Sequence, residues 1–316
     1  MQKITIFFIA FCLFLLSLSE VAAQQDARYS QYMFNGLVLN PGYAGSAETT
    51  CLAAIFRQQW VAIEGAPRTV SLSGHTSLGR YDKIGLGGFA EYDEIGVHQR
   101  LRAYASYAYR LRLGGGKLGV GVQGGLLYMR SDWSEITPEE VVSNPDPVFA
   151  GGDVISVLPN FGLGLHYQTR RYFVGASVPH LLNNKFEKGV EKLARQARHY
   201  MITSGIIVPV GNFLKIKPSF LVKMIPGQAP TQVDANLSFL LKEKLWLGSS
   251  FRFQNQFVPE SIDFIASFQM PNGLRLGYAY DLTLTRLSNY TSGSHEIMLG
   301  FDFGKDGERY RSPRYF

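Results

Sequence analysis

The side chains with the most chemistry to offer are six histidines: His75, His98, His166, His180, His199 and His295. No two stand at the spacing of a metal-binding helix or knuckle, and an HExxH run is absent, so spacing supplies no metal ligand set. Ser73 and His75 lie two residues apart, which puts a hydroxyl and an imidazole on one face of an extended segment, as a nucleophile and its base would need. No G-x-S-x-G elbow frames that serine, so a hydrolase finds no further support. Gly119-Val-Gly121-Val-Gln-Gly124 has the glycine spacing of a dinucleotide loop. That loop works only where a helix follows to receive the pyrophosphate, whereas these glycines alternate with Leu118, Val120, Val122 and Leu126. No catalytic residue, cofactor or metal is expected.

Two further segments are too irregular to be plain structural filler. The first runs Tyr29-Ser30-Gln31-Tyr32-Met33-Phe34-Asn35 and continues through Asn40-Pro41-Gly42-Tyr43. Its aromatics and amides keep no period of two, so it should plug an interior or pack below a rim, with Asn40-Pro41-Gly42 making a turn. The second, Arg57 to Thr69, sets Trp60, Glu64, Gly65 and Pro67 close together between two strand-like runs. These residues are the candidate partner-binding or plug set.

The elements that must position them are strands. From Gln232 to Leu241, Val233, Ala235, Leu237, Phe239 and Leu241 fall on one face and Gln232, Asp234, Asn236 and Ser238 on the other. The same alternation recurs in about fourteen segments of about ten residues, the length a tilted strand needs to cross a bilayer. They are placed near 50–60, 68–77, 82–92, 99–112, 117–129, 159–168, 171–178, 199–208, 213–224, 231–241, 244–254, 261–270, 273–283 and 295–303. Short connections alternate with longer ones at Asp93–His98, Arg130–Leu158, Pro179–Arg198, Ile225–Pro230, Asn255–Glu260 and Thr283–Ser294. The expected fold is all-β, an outer-membrane antiparallel barrel of about 14 strands with short turns and both termini periplasmic. A soluble β-sandwich also alternates, but Gly, Ser and charges along nearly every polar face and aromatics near strand ends favour a lumen and an interfacial girdle. Asn183 to Ala197, rich in Glu, Lys, Ala and Leu, predicts a short helix in an external loop.

The ends and the composition bound the rest. Lys3, the apolar run Ile4 to Leu18, and Val21-Ala22-Ala23 read as a signal peptide over 1–23, too short an apolar run for a retained membrane helix. Residues 24–49 are then an N-terminal periplasmic or plug segment, 50–304 the transmembrane barrel and 305–316 a basic, aromatic periplasmic tail. Beyond the leader only Cys51 remains, so no internal disulfide can form. The net charge of +6 has no Lys/Arg cluster interleaved with aromatics, which excludes nucleic acid and points to anionic outer-membrane lipid or an acidic partner.

At the two irregular segments the chain resembles the PorP/SprF family of type IX secretion system membrane proteins. The Ser-Gln-Tyr-Met-Phe-Asn and Asn-Pro-x-Tyr-Ala-Gly runs are matched by Ser30–Asn35 and Asn40–Gly45, and the Arg-x-Gln-Trp and Glu-Gly-Ala-Pro-x-Thr stretch by Arg57–Trp60 and Glu64–Thr69. The run Val174 to Leu182 is similar to the family's as well, while Gly36 and Gly42 depart from its pattern. The resemblance implies an outer-membrane barrel of the export and gliding apparatus. Its implied partners are the periplasmic ring proteins and associated lipoproteins, or the C-terminal domain of an exported surface protein. The rival from another class is a porin or small-molecule transporter, for which the inward pairs Arg102 with Arg110 and Lys215 with Lys217 would line an anion path.

Overall fold

A computed structural model describes residues 26–132, 153–188, 191–195, 197–227, 229–254 and 258–303. The expected signal peptide, most of the Arg130–Leu158 loop and the basic tail lie outside the described residues.

Seventeen strands are described: β1 (Thr50–Gln58), β2 (Arg68–Leu78), β3 (Ile84–Ile95), β4 (His98–Leu113), β5 (Gly116–Asp132), β6 (Asp153–Gln168), β7 (Tyr172–Val178), β8 (Lys185–Lys188), β9 (Glu191–Arg195), β10 (Tyr200–Ile206), β11 (Val208–Val210), β12 (Leu214–Ile225), β13 (Ala229–Leu241), β14 (Leu245–Gln254), β15 (Val258–Gln269), β16 (Leu274–Thr283) and β17 (Ser294–Phe303). All but β8 and β9 belong to one sheet, in which neighbours along the chain pair antiparallel. It closes on itself because β17 returns to β1, with Thr50 opposite Phe303 and Gln58 opposite His295. β10 pairs with both β7 and β12, and β11 continues it past Ile207, so the barrel has 14 staves. Closure gives every described stave a hydrogen-bonded neighbour on both sides, the condition for backbone to cross hydrocarbon.

The direction of burial separates this barrel from a soluble sandwich. On β13, Asp234 and Asn236 are 2% and 4% exposed whereas Leu237 between the next pair is 45% exposed. Across the sheet the apolar face points out and the polar face in, the arrangement for a lipid exterior.

Several connections differ from expectation. The Asp93–His98 link tightens to a two-residue turn, because β3 and β4 stay paired as far as Ile95 opposite His98. β12 and β13 likewise run on to Ile225 and Ala229, and β6 starts at Asp153, six residues ahead of its predicted start at 159. Long links on one rim therefore reduce to those after β1, β5, β7 and β16. The helix predicted over Asn183–Ala197 is instead a hairpin, β8 against β9. An isolated helix of that length is marginal in water, whereas two paired arms satisfy each other's backbone groups.

The N-terminal segment runs through the inside of the barrel. It is built of tight turns: a 3-10 turn at Tyr32–Phe34, one α-helical turn at Gly36–Leu39 and a 3-10 turn at Pro41–Tyr43. Asp26 lies against Arg102, His180 and His199 at the long-link rim, and Glu48 against Arg110 and Lys117 at the short-turn rim. The segment thus descends the full lumen before Thr50 enters the wall. Asp26 and Phe303, the first and last described residues, sit at opposite rims: a segment used as filling enters by the rim far from the one where it joins the wall.

Depth in the bilayer sets the cost of an outward charge. Phe264→Arg, mid-strand on the lipid face and 52% exposed, is expected to cost ~2–4 kcal/mol, and Leu113→Arg at the short-turn rim ~0–1 kcal/mol. Urea titration of folding into lipid vesicles measures both, and equal costs would contradict a membrane-spanning wall.

Candidate functional site: a filled lumen and a rim vestibule

The upper half of the filling hangs on one carboxylate. Glu296, on β17 and fully buried, accepts hydrogen bonds from two successive backbone amides of the segment, Ser30 N and Gln31 N, each at 2.8 Å. Alternation points Glu296 inward, since its neighbour Ile297 is 56% exposed. Arg57 on β1 donates through Nη1 to the Ser30 hydroxyl at 2.6 Å and to Glu296 at 3.3 Å, and through Nη2 to Asp281 at 2.8 Å. Asp281 also accepts from Arg252 at 3.2 Å, and Arg252 is bound in turn to Asp234 and Asp263. The two irregular sequence segments therefore meet at Glu296. Beside them, the Tyr29 hydroxyl donates to Glu91, which also holds Arg102, and Arg28 pairs with Glu260. Phe34 packs edge-on against Trp246 at 6.0 Å, with the Arg275 guanidinium 5.1 Å from its ring.

The lower half is held by close packing and amides. Asn40 accepts from Gly42 N at 2.8 Å and donates to the Leu165 carbonyl at 2.9 Å, which fixes the turn against the wall. Pro41 and Gly42 press directly on Gly119, Gly121 and Gly164, where a Cβ on any of these would enter the segment. Two of the glycines that mimic a nucleotide loop, Gly119 and Gly121, are thus the floor on which the turn rests, a stronger reason for their size than room in the wall alone. Tyr43 lies edge-on between His75 and His166, at 5.2 and 5.1 Å. Ser73 donates to Asn35 at 2.8 Å and His75 accepts from Gly45 N at 3.1 Å, so this pair grips the segment as two separate contacts.

The cations that could have lined an anion path have partners. Arg102 pairs with Glu91 and Asp26, Arg110 with Glu48 at 3.5 Å and Lys215 with Glu243 at 2.5 Å. Lys217 is buried with its ammonium 5.7 Å from the ring of Phe173 and 5.6 Å from that of Trp246. An open path needs hydrated, unneutralised charge, and these side chains do not supply it.

At the long-link rim the filling leaves a vestibule of about 500 Å³, lined by Arg28, Trp60, Pro67, Arg100, Arg252 and Glu260 among others. Its wall at the β1–β2 link is rigidly made. Trp60 and Ala62 adopt positive φ of 45° and 81°, Val61 N donates to the Gly293 carbonyl at 2.9 Å, and Ser292 N donates back to the Val61 carbonyl at 3.1 Å. Gly65, with φ 69°, accepts from Gly96 N at 2.9 Å, tying the same loop to the β3–β4 turn. Asp26 closes one side of the vestibule. Burial would push its carboxyl up, but the Arg102 guanidinium beside it holds it well below the usual carboxylate range. Burial takes His199 down to about 4, so its ring is neutral at neutral pH.

Of the residues singled out in sequence, Tyr29, Ser30, Gln31, Tyr32, Met33, Phe34, Asn35, Asn40, Pro41, Tyr43 and Arg57 are brought together inside the lumen. Trp60 and Pro67 line the vestibule, while Glu64 and Gly65 are exposed at the loop tip, outside it. Sequence reasoning missed Glu296, Glu91, Asp281 and Arg252. Their only signal was a charge at an inward position of a strand, which alternation reveals but does not pair.

A family model described as "Type IX secretion system membrane protein PorP/SprF" matches residues 21–301. No curated protein sequence matches the chain. Among solved structures, the toluene transporter TbuX of Ralstonia pickettii is similar over 85% of this chain and 93% of its own, at 12% identity and a TM-score of 0.51. The outer membrane protein Omp33 of Acinetobacter baumannii is similar over 81% of this chain and 98% of its own, at 8% identity and a TM-score of 0.49. At these identities the likeness concerns the barrel fold alone.

Removing Glu296 strips the acceptor from two buried amides and from Arg57. Glu296→Ala is expected to loosen the upper filling at a cost of ~3–5 kcal/mol, and Gly121→Leu to lift Pro41 and Gly42 off the wall. Planar-bilayer recording should find wild type silent and both variants conducting, with heat-modifiable gel mobility showing that the barrel is intact. Silence in both would mean that the wall, not the segment, closes the lumen.

Proposed function

The chain belongs to the PorP/SprF family of type IX secretion system membrane proteins, and from that premise we propose that it serves the export and gliding machinery as a closed docking platform. The observation that carries this reading is the filled lumen: a barrel sealed by its own N-terminal segment has surfaces to offer, not a path. With the long links outward and the short turns periplasmic, as in outer-membrane barrels generally, the vestibule beside Trp60 and Pro67 faces the cell exterior. There it receives the C-terminal domain of an exported surface protein. The short-turn rim faces the periplasmic ring proteins and their lipoprotein. Asp26 then stands at the outer rim, and the chain passes inward through the lumen to Thr50.

Two features support the vestibule as a recognition surface. Its walls are pinned by backbone hydrogen bonds to two neighbouring links, so little order is lost when a partner binds. Its lining mixes an indole, a proline and both signs of charge, the make-up of a specific protein contact.

The test is a mild-detergent pull-down of the tagged protein from outer membranes, read by mass spectrometry, with Trp60→Ala and Arg100→Glu variants alongside. Wild type should recover a large exported surface protein together with ring components. The rim variants should lose the surface protein at least tenfold and keep the ring components. Recovery of the barrel alone would sink the platform reading, and conductance by wild type would return the chain to the transporter class.

A further inference from the structure

Three groups that no sequence spacing connects converge at the top of the lumen. Asp26 comes from the N-terminal segment, His180 from the residues after β7 and His199 from those before β10. One ligand atom of each lies within 4.8 Å of the others, the one such group of three or more His, Cys, Asp or Glu among the described residues. Asp26 Oδ2 is 2.9 Å from His180 Nε2 and 3.7 Å from His199 Nε2. Two donors bound at 2.0–2.1 Å in a tetrahedral shell stand roughly 3.4 Å apart, so these separations bracket the value a bound ion would impose.

The second observation is an orphaned lone pair. His199 Nδ1 donates to the Ala197 carbonyl at 3.0 Å, which makes Nε2 the unprotonated nitrogen. That nitrogen is buried, has no hydrogen-bond partner and faces Asp26. An imidazole whose outer nitrogen is fixed by a carbonyl and whose inner one is aimed at a carboxylate has the build of a metal ligand. Arg102 donates to the other oxygen, Asp26 Oδ1, at 2.8 Å, and its remaining arm is held by Glu91. It thereby orients the carboxylate with Oδ2 toward the two imidazoles, where Oδ2 shares a hydrogen with His180 Nε2 at 2.9 Å that a bound ion would replace. Two contacts lengthen when the ion enters, this one as its proton leaves and that of Arg102 Nη1 with His180 Nε2 at 3.4 Å.

We propose that Asp26, His180 and His199 form a site for a divalent transition metal of the zinc class, with a fourth position open to the rim vestibule. Two imidazoles and one carboxylate suit zinc, cobalt or nickel better than calcium or magnesium, which prefer oxygen. Asp26 also lines the vestibule, which supplies the entry path. The ion would fasten the start of the luminal segment to the wall at β7 and β10. The site stands apart from the docking reading, since its residues and geometry require no partner.

The experiment uses the untagged, chelator-stripped full barrel in detergent, titrated with Zn²⁺ by calorimetry and with Co²⁺ by visible absorption. Wild type should take up one equivalent and show the intense bands of a low-coordinate Co²⁺. His180→Ala and His199→Ala should each weaken binding at least tenfold, with heat-modifiable mobility as the check on folding. Failure of wild type to bind, or unchanged binding by the double variant, overturns the site. Because both histidines are buried and a variant can lose its fold, X-ray absorption of Zn²⁺-loaded wild type decides independently. Two imidazoles and oxygen in the shell are expected, and a sulfur or all-oxygen shell would refute the assignment.

Discussion

Glu296 carries two demands at once. It faces into a lumen where a lone carboxylate would be costly, and it answers that cost by accepting from Ser30 N, Gln31 N and Arg57. Arg57 spreads the same charge to Asp281, and Asp281 to Arg252 with its own two carboxylates. The network joins β1, β13, β14, β15, β16 and β17 to one short stretch of the N-terminal segment. A buried ion network contributes less to stability than its contacts suggest, because each ion was desolvated to make it. Its effect is to favour one position for the segment, the one in which the Ser30 and Gln31 amides and both terminal nitrogens of Arg57 have their acceptors.

Barrel size makes such a filling necessary. Eight strands enclose a space that side chains can fill, and sixteen or more leave a channel. Fourteen staves lie between, and inward Ser, Gly and short polar residues make the space wider still. The chain fills it with its own irregular segment, broad with aromatics where Tyr29, Tyr32 and Phe34 meet the wall and thin where Pro41 and Gly42 meet Gly119, Gly121 and Gly164. The vestibule is what that filling leaves uncovered at one rim. The result is a filled barrel with a chemically mixed cup at one rim.

Several sequence features acquire their meaning only from this arrangement. Ser73 and His75, a suggestive pair on paper, share a strand face and contact different parts of the segment, at Asn35 and Gly45. The glycine fingerprint at Gly119–Gly124 serves contact at two of its positions. The stretch Asn183–Ala197 has helical composition, yet it pairs with itself as β8 and β9 because the loop ends are fixed by strands that demand a there-and-back path. Turns are shorter than the apolar runs suggest where strands extend past those runs, since hydrogen bonding in a closed sheet continues as long as a neighbour is present.

What the sequence determined by itself is the wall: an all-β membrane barrel of fourteen staves, with an N-terminal segment and a β1–β2 link outside the pattern. A period of two is local, and each ten-residue run carries it without reference to any other. Only the tertiary structure decided that Ser30 and Arg57 meet at Glu296, that Asp26 stands at the rim opposite Phe303, and that His180 and His199 share one carboxylate. Those contacts join residues up to two hundred and more positions apart, and their pairing depends on how a closed sheet brings its first strands against its last. Alternation states which way a side chain points and is silent on what it will meet.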